Sequence, residues 1–447
     1  MDYRELAHDL LKRAATKGAS SAEVIIVEDE SFSVQVRMRA VDTLQSAKEK
    51  RLGLRLCFGQ RSATTATSDF SPESLHRLLD ETVALTQATA EDPYGGLPGP
   101  ELFSHDVPVL DLWDPEPANL PIHERIAMAS AAESAALDFD PRITNSEGGE
   151  YSHQDARAVF ANSHGFLGEY RSSSVALSVS TIAGSNGSMQ RDGWYSVQRR
   201  LRNLEAPEAI GRTAAQRALR RLGARKVATQ QVPVVFDPDT AAGLLRTICG
   251  AVSGSAIYRT ASFLTGKLGQ QVAATELSVV DDGRMMEKLG SRPFDGEGLP
   301  TRRTAVIQDG VLASYLLDTY TGRKLGMAST GNASRSLGQP PAVAPTNCYI
   351  VPGPHSPEQI IRSVDKGLYV TEMIGFGVNL VTGDYSRGAA GLWIENGELT
   401  YPVEEVTIAG NLKDMLQQIE MIGNDLEWRG SIVAPTLKIG RMTVAGD

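Results

Sequence analysis

At 447 residues, with 41% hydrophobic and 22% charged content, the chain is too long for one ordinary hydrophobic core, and two or three globular domains are expected. Acidic residues outnumber basic ones by 54 to 44, a formal net charge of −10 that repels phosphate backbones and argues against nucleic acid as a partner. The basic pairs Arg199-Arg200, Arg220-Arg221 and Arg302-Arg303 stand in charge-mixed surroundings and read as solvated faces.

The start, Met1 to Leu6, carries acids where a signal peptide needs a positive region, and no apolar run approaches the ~20 residues of a bilayer span. A cytoplasmic chain without a membrane partner is expected. Leu6, Leu10, Leu11 and Ala14 mark the buried face of a first helix that stops near Gly18. Ala22 to Val27 is an apolar run of strand length. Phe32, Val34, Val36 and Met38 then alternate with polar residues, as do Leu52, Leu54 and Leu56, predicting half-buried strands. Ser71-Pro72 opens a second helix with Leu75, Leu78, Leu79 and Val83 inward. The turn-rich stretch Asp92 to Pro100 is the first linker, closing an N-terminal α/β domain over residues 1–92.

Residues 93–230 read as a second domain. An alanine-rich helix is expected from about Pro115 to Ala136. Strands follow at Ala156–Ala161, Val175–Ile182 and Trp194–Leu201, separated by turn chemistry at Glu147-Gly148-Gly149, His164-Gly165 and Asn186-Gly187. This predicts an antiparallel meander, closed by a helix with Ala214, Ala218 and Leu222 on one face. Residues 231–447 form the third domain. It opens with the strand Val232 to Phe236, then a helix capped at Asp237-Pro238-Asp239, with Ala241, Leu244, Leu245 and Ile248 inward. Many short strands and a helix near Pro357 to Leu368 come after. Strands grouped apart from helices, without regular alternation, predict an α+β fold: an N-terminal α/β segment, an antiparallel β-rich middle and a β-rich C-terminal domain.

Standard catalytic signatures are missing. Gly266-Lys267 lacks the upstream glycine and the following Ser or Thr of a phosphate-binding loop, and Gly375-Phe376-Gly377 lacks the third glycine of a dinucleotide fingerprint. No GxSxG elbow occurs. The one His-Glu pair, His123-Glu124, has no second histidine a turn later, so it does not read as a helix-borne zinc site. Cys57, Cys249 and Cys348 show no CxxC spacing and read as buried thiols.

The last third nevertheless carries distinctive runs: Gly375-Phe376-Gly377-Val378-Asn379, Thr382-Gly383-Asp384-Tyr385-Ser386-Arg387-Gly388-Ala389, Trp393 to Glu398, and Tyr401-Pro402-Val403 through Asn411-Leu412. With Arg142 to Gly149, Asn162-Ser163-His164-Gly165 and Pro293-Phe294-Asp295-Gly296-Glu297-Gly298, they resemble the TldE/PmbA branch of the TldD/PmbA metallopeptidase family over nearly the full length. That family has also been labelled a modulator of DNA gyrase, which the acidic charge makes a poor description of direct action.

The resemblance implies a specific loss. TldD proteins carry HExxxH on the helix after the first strand of the C-terminal domain. Here the matching helix reads Arg246-Thr247-Ile248-Cys249-Gly250-Ala251, so Arg246, Thr247 and Ala251 replace the two histidines and the glutamate. A guanidinium donates only, alanine offers no ligand, and threonine is no base near neutral pH. The family's further cysteine ligand is also missing, since no cysteine follows Cys348. The third domain is therefore expected to be a peptidase-type domain with a degenerate metal-site helix, binding no metal and holding no catalytic residue of its own. Zinc is expected in a TldD-like partner, with which this chain would form a heterodimer that cleaves unfolded peptides and trims modified peptide precursors. A homodimer in the partner's absence, a self-sufficient homodimeric peptidase with another centre, and a non-enzymatic regulator remain alternatives. Thr382 to Gly391, with Asp384, Tyr385, Ser386 and Arg387, is expected to be a loop lining the shared chamber or the interface, or a turn held by an Asp384–Arg387 contact. Arg246 is expected to fill the vacated pocket in a salt bridge or to face substrate carboxylates.

Overall fold

The computed structural model describes residues 1–104, 106–185 and 187–446. The expected Asn186-Gly187 turn falls on Asn186 and lies outside the described residues. Helix α1 (Tyr3–Thr16) begins where Asp2 accepts the backbone N–H of Arg4 at 2.8 Å. It leads into three antiparallel strands, β1 (Ser21–Arg37), β2 (Ala40–Phe58) and β3 (Arg61–Thr67), and helix α2 (Pro72–Ala88), capped by Ser71. The hairpin between β1 and β2 turns through Met38 and Arg39, two non-glycine residues at positive φ (48° and 67°). What holds it is the fully buried Glu133, whose two oxygens accept the Met38 and Arg39 backbone N–H groups, each at 2.8 Å.

The alanine-rich helix is broken by Pro121 into a single turn, α3 (Glu116–Asn119), and α4 (Ile122–Leu137), because proline cannot donate and disfavours a helical predecessor. The meander is longer than its apolar runs predict: β4 (Ile143–Asn162), β5 (Leu167–Ser185) and β6 (Ser188–Gln198), followed by α5 (Pro207–Leu219). Glu147-Gly148-Gly149 is no turn between strands. It is a bulge inside β4, where Gly148 adopts φ +123° and the register against β5 slips by one residue.

All six strands make one antiparallel sheet in the order β3-β2-β1-β4-β5-β6, so the chain segments on either side of residue 92 share a sheet. Even-numbered residues of β1 face the helices. Val24 and Ile26 pack with Leu10, Leu75 and Leu79 of α1 and α2, while Phe32, Val34 and Val36 pack with Ala129, Ala132 and Ala214 of α4 and α5. The opposite face meets the C-terminal half.

That half begins with β7 (Gln230–Phe236) and α6 (Pro238–Ala251). A one-turn helix, α7 (Gly254–Tyr258), follows, then short strands β8 (Val279–Asp282), β9 (Arg303–Gln308) and β10 (Val311–Leu312), helix α8 (Thr319–Leu325), and strands β11 (Ala333–Ser334), β12 (Ala342–Val343) and β13 (Cys348–Ile350). Helix α9 (Pro357–Arg362) is shorter than expected. The chain beyond it is strand β14 (Lys366–Ile374), because Gly367 lets it lie hard against β7: a Cβ there would sit 2.6 Å from the Pro233 carbonyl oxygen. Strands β15 (Asp384–Glu395) and β16 (Glu398–Asn411), helix α10 (Leu412–Gln417), and β17 (Ile419–Ile422), β18 (Ile432–Val433) and β19 (Leu437–Ala445) complete the chain. The sheet β16-β15-β14-β7-β19-β17 closes through β16–β19 pairing into a barrel. Helix α6 lies between this barrel and the smaller sheet β10-β9-β8-β13-β18, sharing one apolar core with both. The class is α+β. Among the described residues no helix is long and apolar enough to cross a membrane.

Candidate functional site at helix α6 and the loop beside it

Helix α6 starts firmly. Asp237 accepts the Thr240 backbone N–H at 2.9 Å and its hydroxyl at 2.8 Å, and Pro238 occupies the first turn. The helix then runs unbroken to Ala251, so Gly250 introduces no distortion. Residues five apart point about 140° away from each other on such a helix. Arg246 is accordingly exposed, and Ala251 is fully buried beneath the carbonyl that accepts the Ser262 hydroxyl at 2.6 Å. Thr247 turns its hydroxyl back to the Gly243 carbonyl at 3.3 Å.

Zinc does not fit these positions, for want of an imidazole, thiolate or carboxylate. Among the described residues no three His, Cys, Asp or Glu side chains converge to hold a metal ion. The salt bridge expected of Arg246 is not made. Its side chain borders a hollow of about 170 Å³ with Tyr195, Asp239, Glu427 and Arg429, and has no ion-pair partner among the described residues. The local acids are engaged elsewhere: Asp239 accepts from the Tyr195 hydroxyl at 3.4 Å, and Glu427 pairs with Arg429.

Asp384 to Arg387 do not form a loop either. They open strand β15, where Tyr385 points inward and Asp384 and Ser386 point outward. The Asp384–Arg387 contact is absent. Asp384 instead accepts the Thr382 hydroxyl at 2.6 Å and the Asn411 amide at 3.1 Å, which holds its carboxyl below the usual aspartate range. Burial raises the Tyr385 phenol, against the opposing pull of Arg387 alongside. The true loop is the preceding stretch, residues 375–383. Asn379 ties it by accepting the Val381 N–H at 2.9 Å, and Gly377 fits because a Cβ there would stand 1.8 Å from the Ser386 carbonyl oxygen.

This loop crosses the end of α6. A Cβ on Gly250 would meet Leu380 at 3.5 Å, and the Leu380 carbonyl accepts the Phe263 N–H at 2.7 Å. Thus the C-terminal end of α6 and the loop before β15, more than a hundred positions apart in the chain, meet at Gly250 and Leu380, while Arg246 faces a different hollow. The loop tip is apolar and bare: Phe376 is 98% exposed, with Ile374 and Val381 each more than half exposed beside it.

Two further family-like stretches, Asn162–Gly165 and Pro293–Gly298, lie at the junction of the two halves. Phe294 of Pro293–Gly298 inserts beside Phe160, Phe166 and Tyr170 of the N-terminal sheet, over Gly168, where a Cβ would stand 2.5 Å from its ring. Asp295 accepts three backbone N–H groups, from Glu297, Leu299 and Ala333. Burial drives the carboxyl pKa values of Asp295 and Glu297 upward, and for Glu297 the neighbouring Asp295 adds to the rise. Asn162 accepts the N–H groups of His164 and Phe166, closing the β4–β5 turn, and His164 contacts the Pro98 carbonyl at 2.8 Å. These are scaffold roles. Sequence reasoning missed the buried charges nearby, Glu23, Arg199 and Arg335, which carry no local signal.

The fold is an antiparallel sheet backed by four helices, joined to a barrel whose first helix meets an apolar loop. Three domain descriptions match in order: PmbA/TldA metallopeptidase domain 1 over residues 22–86, the central domain over 115–222 and the C-terminal domain over 229–446. The chain belongs to the PmbA/TldD metallopeptidase family. The metalloprotease PmbA of Escherichia coli O157:H7 is 39% identical over 433 residues, 97% of this chain and 94% of its own length. A crystal structure from Bacteroides thetaiotaomicron, carrying the label modulator of DNA gyrase, superposes with a TM-score of 0.92 at 30% identity over 99% of both chains. TldE from Thermococcus kodakarensis shares the fold, with a TM-score of 0.86 at 21% identity over 98% of this chain and 99% of its own.

Proposed function

We propose that this chain is the metal-free subunit of a cytoplasmic two-component peptidase. It pairs with a zinc-bearing TldD-like chain into a heterodimer that hydrolyses unfolded peptides and trims modified peptide precursors. The observation that carries the reading is the composition of α6: a family scaffold kept over the whole chain, with Arg246, Thr247 and Ala251 where a hydrolytic zinc centre needs two imidazoles and a carboxylate. A full-length fold without its ligands is explained by a role in assembly. The exposed Phe376, Ile374 and Val381 over the end of α6 supply an apolar anchor for the partner subunit, since aromatic side chains at the centre of an interface carry much of its energy.

The test is to purify this chain alone and with its TldD-like counterpart, and to assay an unstructured peptide with zinc and with chelator. Hydrolysis confined to the mixture and abolished by chelation is expected. Chelator-resistant hydrolysis by the lone chain would overturn the reading in favour of a self-sufficient peptidase, and an inactive mixture would favour a regulator.

A further inference from the structure

The face of the N-terminal sheet that meets the C-terminal half is not packed throughout. Tyr170, Ser172 and Ser174 alternate along β5 on the side away from the helices, and with Arg199, Arg292 and Ser431 they border a cavity of about 390 Å³. Two guanidinium groups in one small cavity need negative charge or acceptors, because a buried cation left unpaired costs several kcal/mol.

Arg199, just beyond β6, spends its donors on neutral carbonyls. Its Nη1 reaches Ser173 at 2.7 Å, Nη2 reaches Leu289 at 2.6 Å and Nε reaches Lys288 at 3.4 Å. Burial without a carboxylate beside it pushes its pKa down to about 10, still cationic at neutral pH. Arg292 has less. Among the described residues its side chain makes no hydrogen bond and no ion pair, and both Nε and Nη2 are buried without an acceptor. The carboxylates whose fields reach it, Asp281 and Asp295, are already occupied. Asp281 accepts the Asn332 amide at 2.6 Å and the Thr346 N–H and hydroxyl, while Asp295 accepts its three backbone N–H groups. The Tyr170 side chain and both arginines line the same cavity.

We infer that this cavity binds an oxyanion, a carboxylate or phosphate group, with Arg292 as its principal ligand and Arg199 as a second positive charge. Arg292 brings a guanidinium to the cavity wall, a group whose parallel N–H bonds can meet two oxygens of one anion. The hydroxyls of Tyr170, Ser172, Ser174 and Ser431 make no hydrogen bond among the described residues and are free to complete the shell. In a chain of net charge −10, these two arginines set positive charge beside one polar cavity. The inference stands apart from the peptidase reading, since it requires neither zinc nor a partner.

The experiment is calorimetric titration of the full chain with three probes: inorganic phosphate, acetyl-dialanine with a free carboxylate, and its C-terminal amide. Saturable binding of phosphate, of the free acid, or of both is expected, with none for the amide; which probe binds identifies the source of the anion. Arg292→Met is expected to weaken binding about 30-fold or more, as loss of one partner from a buried charged pair does. Its melting temperature should hold or rise, because an unpaired buried charge has been removed. Arg292→Lys keeps the charge but not the fork, and should bind at an affinity between the two. Absence of saturable heat with both anions, amide binding equal to the acid, or unchanged affinity in Arg292→Met would each overturn the assignment. So would a fall in melting temperature in Arg292→Met without loss of anion binding, the mark of a purely structural arginine.

Discussion

The guanidinium of Arg335, carried by the C-terminal half, lies 2.5 Å from the carboxylate of Glu23 in the N-terminal sheet, and neither side chain is more than 3% exposed. The same oxygen of Glu23 accepts from Arg55 at 3.3 Å. One carboxylate therefore pairs with two arginines, Arg335 across the junction and Arg55 within its own sheet. Glu23→Gln strands two buried cations and is expected to cost about 3–5 kcal/mol, whereas Arg335→Met leaves the Glu23–Arg55 pair intact and costs clearly less. Urea denaturation of the two variants checks the order; an equal or reversed order would show that Glu23 does not hold the cluster.

Glu297 makes stability depend on pH in an unusual direction for a carboxylate. Its folded pKa is raised by burial and by Asp295, so the native state holds a proton that the unfolded chain releases. The stabilisation is complete below the unfolded value, 4.5, and declines as pH rises through the raised folded value. Melting temperature should fall across that window more steeply in the wild type than in Glu297→Gln, which cannot ionise. Parallel pH profiles would refute the claim.

Gly211 of α5 allows contact with α4 at backbone distance. A Cβ there would stand 2.1 Å from the Ala132 carbonyl oxygen. Backbone cannot swing aside as a side chain can, so Gly211→Ala must push the helices apart, at about 1–3 kcal/mol. Thermal unfolding gives the number. Gly59→Ala, at an open turn with positive φ, is the control for a purely conformational cost.

Phe376 touches water over nearly its whole surface, so Phe376→Ser should leave stability within about 0.5 kcal/mol of wild type. As an interface anchor, the same change is expected to weaken association with the TldD-like subunit by about tenfold or more. Analytical ultracentrifugation of the mixed subunits separates the outcomes, and undiminished association removes this loop from the interface.

Zinc or chelator added to the isolated chain should leave its melting temperature unchanged, because a ligand stabilises only through a site it occupies in the native state. A zinc-dependent rise would reveal ligands that α6 does not supply.

Much of the architecture is legible one residue at a time. Asp237-Pro238 caps a helix wherever it falls, the alternation of Phe32, Val34 and Val36 makes a strand with one wet face, and Arg246, Thr247 and Ala251 lack zinc-ligand chemistry in any fold. These depend on bonds to near neighbours or on what a side chain is. The rest depends on partners far away in the chain. Glu147-Gly148-Gly149 has the composition of a turn and becomes a bulge because α4 and β5 pack against it, a Cβ on Gly149 meeting Ala129 at 2.3 Å. Asp384 to Arg387 have the composition of a loop and become strand because β16 pairs with them. Arg199 and Arg220 read as solvated, yet Arg199 is buried and Arg220 half-buried with Nε and Nη2 closed off, since only the closing of one domain on another removes their water. Which charges are neutralised, and by whom, is decided by desolvation at contacts the local sequence does not encode.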